Sequence, residues 1–129
     1  MNLSAALAAT PVRIGLAALL APIGAATAIA SVAVHDANWA WFVLGLAAPA
    51  ATTLALPAGW LRFGFVLGWV AMILVVIQGT AAGSWAISAD LRGYLFLTGG
   101  LGLMVTAVVT APVPGRRAPA PSATPSADA

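Results

Sequence analysis

Leu91 to Pro112 reads LRGYLFLTGGLGLMVTAVVTAP. It opens with a charge and an aromatic, runs apolar for the roughly 20 residues that cross a bilayer, and stops at a proline. Thr98, Gly102, Thr106 and Thr110 recur every fourth residue. On a helix that spacing forms one ridge of small and hydroxylic side chains. The stretch reads as the last transmembrane helix of a small integral membrane protein, packed on a neighbour through that ridge.

The rest of the chain agrees with a membrane setting. Of its 129 residues, 62% are hydrophobic and 6% charged, with a mean hydropathy of +1.03. Soluble domains carry about 25% charged residues, so this inventory cannot build a water-facing surface. The pI near 10.6 rests on five cations, all arginine, spread along the chain. Nucleic-acid-binding proteins gather such charge into a patch or stripe, and none is seen. Nucleic acid is therefore not an expected partner. Without cysteine there is no disulfide, thiolate nucleophile or cysteine metal site.

Three further apolar runs precede the opening stretch. Val12 to Val34 is uncharged after Arg13 and is long enough to span. It also has the parts of a cleaved signal peptide, with Ala26-Thr27-Ala28 as the small-residue site. Either reading leaves the topology downstream the same. His35-Asp36-Ala37-Asn38 is a polar turn, short enough to join antiparallel helices. Trp39 to Leu56 is the second span, with Trp39 and Trp41 at the level of an interfacial aromatic belt. Pro57 to Arg62 breaks the pattern, and Phe63 to Ala82 is the third span. After a polar loop holding Trp85 and Asp90, Tyr94 to Ala111 is the fourth.

The expected fold is thus all-α: an integral membrane bundle of four transmembrane helices over residues 1–111. Residues 112–129 are rich in proline without apolar periodicity, and predict a disordered cytoplasmic tail. Arg13, Arg62, Arg116 and Arg117 fall on one side of the membrane and Arg92 on the other. By the positive-inside rule both termini are expected to be cytoplasmic, and the plasma membrane is the expected location.

Helices in lipid associate through close backbone approach and polar contacts. The third span carries Gly64, Gly68, Ala71, Val75, Gln78 and Ala82 along one face. The fourth carries Thr98, Gly102, Thr106 and Thr110, with Gly99 beside them. Matching depths in an antiparallel pair sets Gln78 against Thr98 or the Gly99 backbone, and Gly68 against Thr106. The expected packing set is therefore Gly64, Gly68, Gln78, Thr98, Gly99, Gly102 and Thr106. Pro22 and Pro49 fall mid-span in similar surroundings, LLAP and LAAP. An inverted repeat and low-complexity coincidence both account for that.

Catalytic chemistry is not evident. No acid, base or metal ligand lies within a span, whereas buried ionisable groups mark proton and ion paths. His35 and Asp36 are adjacent, and a lone histidine in an interfacial turn reads as solvated. Asp90 and Arg92 are near enough to pair at the outer rim, or Arg92 meets lipid phosphate. No serine has a histidine or acid at motif spacing. Neither cofactor nor metal is expected, and the chain reads as a non-enzyme.

Leu91-Arg92-Gly93-Tyr94-Leu95-Phe96-Leu97 followed by Gly99-Gly100 resembles the Gly-x-Tyr-Leu-Phe-Leu-x-Gly-Gly element of an uncharacterised membrane family. That family is the four-helix domain of unknown function 6113 of GC-rich actinobacteria. Gly68-Trp69 suits the same pattern, while Gly83 to Asp90 departs from it. The resemblance implies a four-span layout and brings neither activity nor site. The expected function is a non-enzymatic structural or accessory membrane component, partnered by lipid and by a second copy or another membrane protein. The alternatives are a small oligomeric transporter or channel, and a membrane-permeabilising protein of holin type.

Overall fold

The computed structural model describes residues 10–78, 87 and 89–111. Within them the regular structure is four helices: α1 (Thr10–Val34), α2 (Trp39–Ala55), α3 (Trp60–Ile77) and α4 (Leu91–Val109). The expected tail, and the loop residues Trp85 and Ser88, lie outside the described residues. Three helices, α1, α3 and α4, are long and apolar enough to cross a membrane, and α2 is apolar but shorter at 17 residues.

Local chemistry sets the helix ends. Asn38 caps α2, its side chain accepting from the Trp41 amide at 3.1 Å. Asp90 caps α4 in the same way, accepting from Gly93 at 2.9 Å. Each satisfies one of the amides a helix leaves unpaired at its start. This is why α4 begins at Leu91, ahead of the expected Tyr94. Between α2 and α3 the chain reverses through Pro57 and Gly59. Gly59 holds a φ of +114°, a conformation glycine adopts without a Cβ penalty. Interior prolines cost a backbone bond. Near both, threonine hydroxyls donate back along the helix: Thr27 to Ile23 O at 2.8 Å, and Thr53 to Pro49 O at 2.7 Å.

The most extensive helix pair is α1 with α3. A Cβ on Gly64 would collide with the Ala17 backbone, one on Gly68 with Ala21, and one on Gly24 with Phe65 and Trp69. Positions rise together along both chains, so the two helices run parallel. Their backbones meet across small residues on both sides: Ala17, Ala21, Gly24 and Ala28 facing Gly64 and Gly68. Close approach lets each residue make many short-range contacts, individually near 0.1–0.2 kcal/mol and large in sum.

The remaining helices fill in around this seam. Gly45 of α2 sits against Ser31 and Val34 of α1, while α4 rests on α2 and α3. One apolar cluster joins Ala28, Phe42, Trp69, Ile73 and Phe96, and a second joins Phe65, Val66 and Ala107. Trp69 and Phe96 pack at 5.7 Å between ring centres, a favourable aromatic separation.

The expected pairing of the α3 glycine ridge with α4 is corrected here. Gly64 and Gly68 seat on α1, because α1 presents alanines and a glycine that let backbone meet backbone. The side of α4 that turns inward is Gly93, Phe96, Gly100 and Ala107.

Candidate functional site

Polar side chains concentrate at the two ends of the bundle. At one end, the turn after α1 meets the start of α4. His35 N–H bonds Ser31 O at 3.0 Å and Ala37 N–H bonds Val34 O at 3.2 Å, closing the chain reversal. That reversal turns the His35 ring inward: it is 2% exposed, with Nδ1 2.6 Å from Val32 O and its centre 5.3 Å from the Phe96 ring. The expectation of a solvated histidine is therefore corrected. Since a carbonyl only accepts, Nδ1 carries the hydrogen and Nε2 is the bare acceptor. Among the described residues Nε2 has no partner, and the same holds for Trp69 Nε1.

Outside this ring lies a clamp. Arg92 donates to Asp36 O at 3.0 Å and its guanidinium lies 3.8 Å from the Asp36 carboxylate. The same guanidinium stands 5.1 Å above the Trp39 ring, within cation–π range. Asp90, an alternative partner for Arg92 on sequence grounds, instead spends its carboxylate on capping α4. The Asp36 side chain is 61% exposed, so the ion pair itself contributes at most about 1 kcal/mol.

At the other end Arg62, in the first turn of α3, reaches back to Leu56 O at 2.9 Å and across to Thr110 Oγ1 at 3.4 Å. It joins the end of α2 to the end of α4. A cavity of about 510 Å³ opens beside it, between Arg13, Trp60 and Thr110. A smaller, apolar groove of about 180 Å³ separates α3 from α4 alongside Trp69, Phe96, Gly100 and Met104.

The residues expected to pack fall into three groups. Gly64 and Gly68 are buried in the α1–α3 seam. Gly99 is half-buried, facing Leu46 of α2, whose Cδ1 would lie 2.7 Å from an added Cβ. Gln78, Thr98 and Gly102 are exposed, and nothing lies within 4 Å of a Cβ built on Gly102. Thr106 is half-buried. Instead of reaching Gln78, Thr98 donates to Tyr94 O at 2.8 Å, and Thr106 donates to Gly102 O at 2.9 Å. A threonine that satisfies its hydroxyl on its own helix has no need of a facing partner.

Among the described residues no group of three or more His, Cys, Asp or Glu side chains could hold a metal ion. The buried His35 and the Arg92–Asp36 clamp are the polar features that sequence reading missed. Arg92 and Asp36 are 56 positions apart, and no local pattern links them. No family model, curated protein or solved structure matches the chain.

Proposed function

We propose that this chain is a four-span plasma-membrane protein with a structural or accessory role, acting through its surface and not through an enzymatic centre. The observation that carries this reading is the outer surface of the bundle. Leu19, Ile23 and Ile29 of α1, Val43 and Leu54 of α2, Leu74 of α3, and Leu101, Val105 and Val109 of α4 are all exposed. Exposed apolar area on every helix suits lipid on all sides, while glycines and aromatics fill the interior. Trp39, Trp41 and Tyr94 are exposed at one end, as an interfacial belt requires.

The neighbours of α2 support its crossing: α1 and α3 run parallel, and α2 is the element that connects them. Its 17 residues give about 25 Å, short of the ~30 Å core by an amount that local bilayer thinning accommodates. The positive-inside bias puts Arg13 and Arg62 on the cytoplasmic face. The four-span layout is also what a member of domain of unknown function 6113 would have.

Reconstitution into liposomes tests the role. The accessory reading predicts no protein-dependent flux of protons, cations or small anions. Saturable flux would replace it with the oligomeric transporter or channel. Reporter fusions at both termini test the orientation, and reporters on opposite faces would refute the four-span layout.

A further inference from the structure

His35 is the chain's single histidine, and the proposed function makes no use of it. We propose that His35 is a pH-sensitive latch: its neutral ring holds the first turns of α4 against the α1–α2 corner, and a second ring proton releases them.

The geometry supplies both states. In the neutral ring Nδ1–H donates to Val32 O, and the unprotonated Nε2 is buried without a partner among the described residues, the ring lying beside Phe96. A proton taken from water at Nε2 creates an N–H with no acceptor among the described residues. Buried donors left unpaired are costly, and a buried charge more so.

The groups around the ring do not relieve this. From its own turn, Asp36 is engaged by Arg92 and is mostly exposed. From α4, Arg92 brings a like charge, and Asp90 is committed to the Gly93 amide. Neither α2 nor the neighbouring end of α3 contributes a titratable side chain; α3 has only Arg62, at the opposite end of the bundle. The favourable course for the charged ring is outward, towards water and the Asp36 carboxylate. That movement withdraws it from Phe96, a central residue of the larger apolar cluster and fully buried on α4.

Full-length protein in lipid nanodiscs tests this without ambiguity, because a single histidine gives a single set of ring resonances. Ring titration by NMR and amide protection of Gly93 to Phe96 are followed together between pH 8 and pH 5. The expected result is one shared midpoint, with protection, corrected for intrinsic exchange, falling by about tenfold, within the range set by the cost of an unpaired buried donor. His35→Asn, which cannot titrate, should hold protection flat across the range. A ring that titrates while protection stays constant would overturn the latch. So would a ring that never titrates, or an equal loss of protection in His35→Asn. If His35→Asn does not fold, the shared or separate midpoints in the native chain still decide the matter.

Discussion

The α3 glycines and the α4 threonine ridge look alike in sequence and behave in opposite ways. Both place small residues at four-residue spacing: Gly64 and Gly68 on one helix, and Thr98, Gly102 and Thr106 on the other. The first pair is pressed onto α1, where Ala17 and Ala21 leave no room for a Cβ. In the second set Thr98 and Gly102 are exposed, and the space above Gly102 is open. Small residues permit close approach but do not compel it. A partner that is also small decides whether backbones meet.

Substitutions sharpen this contrast, and their effects should grade with what each new side chain strikes. Gly68→Leu should be the most damaging, since it drives a side chain into the α1 backbone; a loss of about 3 kcal/mol or more is expected. Chemical unfolding in mixed micelles would measure it. Gly100→Ala comes next. Its Cβ would lie 2.8 Å from Trp69 Cζ3, part of a rigid ring already held by Phe96. About 1–2 kcal/mol should be lost, accompanied by a change in Trp near-ultraviolet circular dichroism. Asp90→Ala removes the α4 cap and should cost about 1 kcal/mol, with fraying at Leu91 to Gly93 visible by hydrogen exchange. Gly99→Ala should be the mildest of these, about 0.5 kcal/mol or less. Its neighbour is the end of the Leu46 side chain, which can rotate aside.

The same contrast explains what sequence could and could not reveal. Apolar length shows in any window of the chain, so the helical layout was legible from composition and from breaks at Pro57 and Asp90. Capping by Asn38 and Asp90 was written locally too, and it accounts for α4 starting three residues before the expected span. Partner choice was not legible for α4, which carries small residues on two faces. Gly93 and Gly100 turn inward with Phe96, while Gly102 turns out with Thr98. Hydroxyl groups gave no guidance, because each threonine of the ridge can bond its own helix.

His35 shows the limit more sharply. A polar tetrapeptide between apolar runs ordinarily lies in water. Its burial here depends on Phe96, which reaches it only once α4 has docked. Arg92 then closes over the turn by holding Asp36 from the far side of the chain. These contacts are properties of the assembled bundle and have no counterpart in local spacing.

The central claim is that the bundle is built on the parallel α1–α3 seam, with Thr98 and Gly102 of the α4 ridge facing outward. Unfolding free energies of Gly68→Ala and Gly102→Ala, measured side by side in the same micelles, test it most directly. Gly68→Ala should lose about 2 kcal/mol to backbone collision. Gly102→Ala, with open space and a better helix former, should gain about 0.5 kcal/mol. Equal losses, or a larger loss at Gly102, would contradict the account.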